Sequence, residues 1–301
     1  GAFLSGGVDS SATVAYMSQI LEQPVKTFSI GFEEEEYNEL NYAEIPAKLW
    51  QTEHYTEIVK RESLENLLPK LVKHYGEPFG DSSAIPTYYV CKMARQQVTM
   101  VLSGDGGDEC FAGYQTYLNW MAWLNQEEKP LWKRFAYPLA RLLKPQRFPP
   151  SQPNLQGWFR FITQIPQDIR HQLWREDYQN SVNQPIEVLV EANQKIQAYD
   201  WSQKAQYVDI VSYLPGSILT KVDIASMMNS LEVRTPIVDI KVFEFAATIP
   251  ESMNIARNEQ GDWEGKLLFK KLLSRYYSAD FLHRPKMGFN TPIKKLSLIH
   301  I

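Results

Sequence analysis

The opening stretch, Gly1-Ala-Phe-Leu-Ser-Gly-Gly-Val-Asp-Ser-Ser11, restricts the chain more than any other part of it. The apolar run Ala2 to Leu4 predicts a buried strand that stops at Ser5-Gly6-Gly7, and Val14, Met17, Ser18 and Leu21 then recur at helical spacing. Strand, glycine turn and helix start in succession make an anion site, because free backbone N–H groups and the positive end of the helix dipole converge there. The glycines let the main chain come close to a ligand, and Ser5, Ser10 and Ser11 add hydroxyl donors. Asp9 puts a carboxylate where a bare phosphate site would repel one, which implies a metal ion. The plainer reading is that Ser-Gly-Gly turns the chain and Asp9 caps the helix.

Further strands are predicted over Val25 to Gly31, Glu53 to Ile58 and Val98 to Leu102, with helices over Asn38 to Trp50, Arg61 to His74 and Ser83 to Arg95. Strands alternating with helices of this length argue for a doubly wound α/β fold, a parallel sheet covered on both faces. Ligands of such sheets sit beyond the carboxyl ends of the strands, so Ser5, Ile30 and Ser103 should share one crevice. This α/β core is set at residues 1–113. Over 114–301 the texture changes: aromatic residues and prolines crowd, no strand pattern survives, and a largely helical extension is expected. Its helices are predicted over Asp200 to Leu219, Lys221 to Met228, Asp239 to Ile249 and Trp263 to Tyr277, with Pro138 to Pro153 irregular.

A second string, Leu102-Ser-Gly-Asp-Gly-Gly-Asp-Glu109, repeats the logic of strand, glycine turn and acid. Asp105, Asp108 and Glu109 would repel one another unless a cation or a positive substrate group sat among them. The run lacks the alternating oxygen ligands of an EF-hand, and an acidic helix N-terminus is its plainer reading.

Composition narrows the function classes. A net charge of -4 with scattered basic residues leaves no electrostatic footprint for nucleic acid, and Lys129 to Arg134, the densest basic cluster, reads as a solvated face. Cys91 and Cys110 lack C-x-x-C spacing, which argues against a disulfide framework or zinc ribbon and fits a reducing cytoplasm. No apolar stretch approaches the roughly 20 residues of a membrane span, and no signal peptide is visible.

Leu4-Ser-Gly-Gly-Val-Asp-Ser10 resembles the pyrophosphate loop of the ATP pyrophosphatase superfamily; it lacks a Walker A ending, which disfavours γ-phosphoryl transfer. Joined to Glu77-Pro-Phe-Gly-Asp-Ser-Ser-Ala-Ile-Pro86, Leu102 to Glu109, Leu219-Thr-Lys-Val-Asp223, Ser230-Leu-Glu-Val-Arg-Thr-Pro236 and Arg284-Pro-Lys-Met-Gly-Phe289, in that order, it resembles the synthetase domain of glutamine-hydrolysing asparagine synthetases. The resemblance implies a sheet of adenine nucleotide alpha-hydrolase type and a reaction that needs ATP and Mg²⁺. An aspartate side-chain carboxylate would attack the α-phosphorus, and ammonia would then displace AMP to leave an amide. It further implies an N-terminal glutaminase domain as the source of ammonia. Because residue 1 already falls inside a core strand, an excised piece of a longer protein is expected. Related members amidate other carboxylates on sugars, peptides or lactam precursors, and a nucleotide-binding module without turnover is the third reading. Assembly is left open, with a homodimer among the options.

By the same resemblance Leu4, Ile30, Ser103 and Gly104 would hold the adenosine, and Ser5, Gly6, Gly7 and Ser10 the pyrophosphate. Asp9 and Asp108 would hold Mg²⁺, and Lys286 would supply positive charge at the α-phosphorus. Asp105 stands where well-studied members carry Glu, there to organise the intermediate and accept a proton from ammonia. Lys266 is a second basic position near ATP, or one side of a helix pair; Asp81, Ser82 and Ser83 would face the amino-acid substrate, or cap a helix. Glu232 and Arg234 would shape the substrate pocket, or form a structural ion pair. Without the family, Leu4 and Ile30 are core strand positions and Lys286 an exposed loop lysine. Two departures stand out: Ile224 occupies a position where the family carries Arg, and Leu296 to Ile301 lack the family pattern, as a truncation or artefactual tail would.

Overall fold

The structure, a computed structural model, describes residues 1–125, 155–162, 165, 169, 172–178, 187–196 and 199–284. Lys286, the 129–134 basic cluster, the 138–153 connection and the 296–301 tail lie outside the described residues. The chain divides into two compact units. Unit 1 comprises Gly1–Gly107, Tyr213–Ala246 and the described residues from Phe269; unit 2 comprises the described residues of Asp108–Ser212 together with Ala247–Leu268.

Unit 1 is built on one sheet. Its strands β1 (Ala2–Phe3), β2 (Lys26–Phe32), β3 (Glu53–Val59), β4 (Met100–Leu102) and β5 (Glu232–Arg234) lie in the order β3-β2-β1-β4-β5. Every pairing is parallel, with Ala2 opposite both Thr27 and Leu102. Parallel strands need crossovers, here supplied by helices α1 (Val8–Ile20), α2 (Leu40–Leu49), α3 (Arg61–Tyr75) and α4 (Ala84–Arg95). Helices on both faces bury alternate positions equally, which is why β2, Lys-Thr-Phe-Ser-Ile-Gly-Phe, is buried from Thr27 to Phe32 instead of alternating. Phe28, Val101, Cys91, Ala94 and Leu231 form the fully buried centre. The direction of winding reverses between β1 and β4, so the crevice beyond their carboxyl ends is the place where such sheets take ligands.

Unit 2 contains most of α5 (Gly107–Cys110), then α6 (Gln115–Leu124), α7 (Leu155–Ile162), α8 (Glu187–Lys195) and α9 (Trp201–Val211). Its core is aromatic: Tyr117 stacks on Trp158 at 5.4 Å, and Trp120 meets the same indole edge-on at 5.8 Å. Both indoles and the phenol ring are buried, a large apolar area gathered by few residues.

The region expected to carry no strand carries three among its described residues. β5 supplies the sheet's fifth strand, and β6 (Ile255–Arg257) pairs antiparallel with β7 (Trp263–Gly265), where the helix over Trp263 to Tyr277 was expected. Each is three residues long, too short to display an alternation that sequence can reveal. Likewise the helix over Asp200 to Leu219 is not continuous: α9 ends at Val211, and Leu214–Leu219 is wound as a π-helix around Pro215, whose missing N–H cannot serve an α-helical ladder. Next come α10 (Thr220–Met227), α11 (Ile240–Thr248), α12 (Glu251–Asn254), α13 (Leu267–Leu273) and α14 (Ala279–Leu282). No helix among the described residues is long and apolar enough to cross a membrane.

Candidate active site

In unit 1, β1 ends and the main chain turns through Gly6 with φ at +72°. A Cβ there would lie 2.5 Å from the Tyr42 carbonyl carbon, so glycine alone fits. Gly7 caps α1, and its N–H donates to Ser5 Oγ at 3.2 Å. Ser10 Oγ stands 3.1 Å from Ser5 Oγ, accepts from the Ser5 N–H and donates to the Gly7 carbonyl. Ser5, Gly7 and Ser10 thus form a closed ring of hydroxyls and amides at the positive end of a thirteen-residue helix, the arrangement that attracts an anion.

The second glycine turn folds against the first within unit 1. A Cβ on Gly104 would fall 2.7 Å from the Ser10 nitrogen, and one on Gly107 would fall 2.4 Å from Asp9 Oδ1. Both positions must be glycine because Asp9 and the start of α1 occupy the space a side chain would need. Gly106 has φ at +88° and packs beside Val238. Ser103, buried at the end of β4, donates from Oγ to Asp105 Oδ2 at 2.7 Å, which orients that carboxylate. Leu4 and Ile30 are buried in the core, and the Leu4 N–H donates to Phe28 while its carbonyl accepts from Ser29 Oγ.

Two further clusters lie in unit 1. Asp81 Oδ1 accepts from the Ser83 N–H at 2.9 Å and from its hydroxyl at 2.6 Å at the start of α4; Asp81 Oδ2 faces the buried Lys221 ammonium at 3.3 Å. Burial alone would raise the Asp81 carboxyl, but Lys221 and Ser83 outweigh it and hold the group below its ordinary value. Asp81 thus holds Ser83, the N-cap of α4, through its backbone and its hydroxyl. Ser82 precedes α4 and accepts at its carbonyl from the Ile85 N–H. Arg284 donates to the Gly6 carbonyl at 3.1 Å and to Glu39 Oε1 at 3.3 Å, with its guanidinium 4.0 Å over the Tyr42 ring. It braces the first glycine turn from behind. Glu232 and Arg234 pair at 2.8 Å on the exposed strand β5.

In unit 2, the ammonium of Lys266 lies 2.7 Å from Asp108 Oδ1, both side chains largely withdrawn from solvent. Its neighbour Glu109 is fully buried, receives the Tyr114 hydroxyl at 2.7 Å, and has its carboxyl pushed up to about 7 by burial. Asp209 receives the Tyr117 hydroxyl at 2.7 Å and is likewise pushed up to about 7 by burial. Asp209 was missed because it sits between Val208 and Ile210 in an apolar helical run; an acid in such a run was the only available signal.

Asp9 and Asp108 each offer hard carboxylate oxygen in the first turn of a helix, the donor type that suits Mg²⁺. Among the described residues no group of three or more His, Cys, Asp or Glu side chains could hold a metal ion.

The asparagine synthase family model matches residues 1–299. Asparagine synthetase [glutamine-hydrolyzing] 1 of Bacillus subtilis is 32% identical over 304 residues, covering 98% of this chain and 46% of that protein. A putative asparagine synthetase of Mycobacterium bovis is 32% identical over 311 residues, covering 98% of this chain and 45% of its own length. Over 120 residues, 40% of this chain and 23% of the relative, identity to a putative asparagine synthetase of Methanocaldococcus jannaschii reaches 50%. The chain spans about half the length of the first two relatives. With a parallel sheet of order β3-β2-β1-β4-β5, a hydroxyl-lined glycine turn at its switch point and a match over nearly every residue, the chain belongs to the asparagine synthase family.

Proposed function

We propose that the chain is the synthetase half of an ATP-dependent amide-forming enzyme, which adenylates a carboxylate, aspartate in the first reading, and passes the acyl group to ammonia. One observation carries this reading: the Asp9 carboxylate is seated against Gly107, and the Asp9 Cβ and backbone against Gly104, so both glycine turns of unit 1 meet at the switch point of the sheet. The amides of the first turn and the hydroxyls of Ser5 and Ser10 bind and orient the pyrophosphate end of ATP, whose departure they favour by stabilising its charge. Backbone groups of Leu4, Ser103 and Gly104, beside Ile30, hold the adenosine. Asp9 and Asp108 hold magnesium, which neutralises phosphate charge when bound. Lys286 adds positive charge at the α-phosphorus. Asp105, oriented by the Ser103 hydroxyl, takes the proton that ammonia sheds as it attacks the adenylate and displaces AMP. Ammonia comes from a glutaminase domain of the complete protein, as the names of the relatives suggest.

A second reading keeps the chemistry and changes the acid. Ile224 packs among the apolar residues of the unit 1 core, where the family pattern carries a cation, so a carboxylate other than aspartate would meet a less charged pocket. Pyrophosphate release with MgATP and ammonium across a panel of carboxylates separates the readings. Release with aspartate supports the first, release with another acid alone supports the second, and release with none leaves a binding module. Asp9→Asn is expected to lower turnover at least about a hundredfold, as loss of transition-state charge stabilisation does; turnover near wild type defeats the metal assignment.

A further inference from the structure

The first glycine turn contains a peptide that can face either way. In a trans peptide the C=O and the N–H point in opposite directions. The Gly7 N–H is aimed at Ser5 Oγ at 3.2 Å, on the side where Ser5 and Ser10 gather their hydroxyls, so the Gly6 carbonyl is aimed away from them. A half turn of the plane between the two residues would carry Gly7 from its φ of -73° into the positive region, which glycine enters freely and alanine does not. Rotated in that way, the turn would offer an incoming anion a carbonyl oxygen in place of an amide. Something has to hold the peptide as it stands.

We infer that Arg284 is a positioning residue: it latches the Gly6–Gly7 peptide with its amide toward the pyrophosphate. This rests on the reading of the first glycine turn as the pyrophosphate site. Arg284 Nη2 donates to the Gly6 carbonyl at 3.1 Å from a guanidinium that is itself fixed, by Glu39 Oε1 at 3.3 Å and by the face of the Tyr42 ring at 4.0 Å. Glu39 caps α2, and the first turn of that helix presses on Gly6 so closely that a Cβ there would fall 2.7 Å from the Ala43 nitrogen. The Arg284 and Glu39 side chains are 12% and 14% exposed, so the bond to Gly6 is charge-assisted and shielded from water. Without it the turn divides its time between two orientations, and the apparent affinity for an anion falls with the competent fraction. If Arg284 only drew the anion by its charge, the freedom of Gly7 to rotate would make no difference.

The test is a double-mutant cycle read by calorimetric titration of inorganic pyrophosphate in excess Mg²⁺. Gly7→Ala blocks the rotated peptide by itself, because alanine is barred from the backbone that rotation demands. Arg284→Met binds pyrophosphate about tenfold more weakly than the wild type, the worth of one charge-assisted hydrogen bond, and loses only about twofold when Gly7→Ala is already present. A Cβ at Gly7 would stand 3.2 Å from Ser5 Oγ, so Gly7→Ala alone weakens binding somewhat, and the cycle reads the coupling apart from that cost. Arg284→Gln, which gives up the charge yet keeps a polar head, shows the same pattern and guards against misfolding of the Met variant. Equal losses in the two Gly7 backgrounds, or no loss in either Arg284 variant, overturn the latch. If the wild type takes no pyrophosphate, the reading of the turn falls first and the latch falls with it.

Discussion

In unit 1 the half-buried acid Asp81 faces an ammonium, Lys221, at 3.3 Å, whereas in unit 2 the buried acid Asp209 faces the Tyr117 hydroxyl at 2.7 Å. The first carboxyl is held below its ordinary value and stays charged; the second is raised from 3.8 to about 7 by burial and spends acidic conditions protonated. A parallel sheet with helices on both faces brings distant segments together, so Lys221 on α10 can answer Asp81 at the head of α4. The aromatic core offers phenol donors in place of cations, so Glu109 and Asp209 are stabilised by the neutral hydroxyls of Tyr114 and Tyr117. The difference teaches that burial does not fix the charge of an acid. The partner does.

That contrast breaks most visibly at Lys221. Lys221→Met leaves the Asp81 carboxylate without its counter-ion and should cost unit 1 roughly 3 kcal/mol in urea unfolding, since removing one member of a buried pair strands the other. A loss below about 1 kcal/mol would mean that Ser83 alone satisfies Asp81. Next in size is the response to pH. Asp81, lowered on folding, contributes stability above its unfolded value of 3.8 that is lost as pH falls; Asp209, raised on folding, contributes stability below 3.8 that is lost as pH climbs toward 7. Hydrogen exchange resolved by residue should show unit 2 weakening by on the order of 2 kcal/mol between about pH 4 and 7, and Asp209→Asn should reduce that slope to the share that Glu109, also raised to about 7, contributes. The smallest effect belongs to Tyr117→Phe, which removes one hydroxyl and should destabilise unit 2 by about 1 kcal/mol, read as a shift of the urea midpoint with no change in slope.

What the sequence disclosed follows from how local each feature is. β1, the first glycine turn and α1 are contiguous, and so are β4 and the second turn; strand, turn and helix start could be read in a line, and α3, α4 and β3 lie where their patterns put them. The strand β5 escaped because Glu232 and Arg234 are exposed and only Val233 between them turns partly inward, a period too short to register. Pairings between distant segments were invisible for a different reason. Nothing in the string Arg-Pro-Lys tells that Arg284 fastens the Gly6 carbonyl, and nothing near Lys266 tells that its backbone is left-handed, because both facts are enforced by neighbours remote in the chain. The metal candidates Asp9 and Asp108 were legible from the helix starts they occupy; the ammonium already seated on Asp108 was not.

The outermost strands of the unit 1 sheet, β3 and β5, carry exposed charge: Glu53 and Glu57 on one, the Glu232–Arg234 pair on the other. A foreign strand laid along either rim would have to dehydrate fixed carboxylates or a guanidinium before gaining its first ladder bond. Lateral growth into fibres is thereby opposed at both margins.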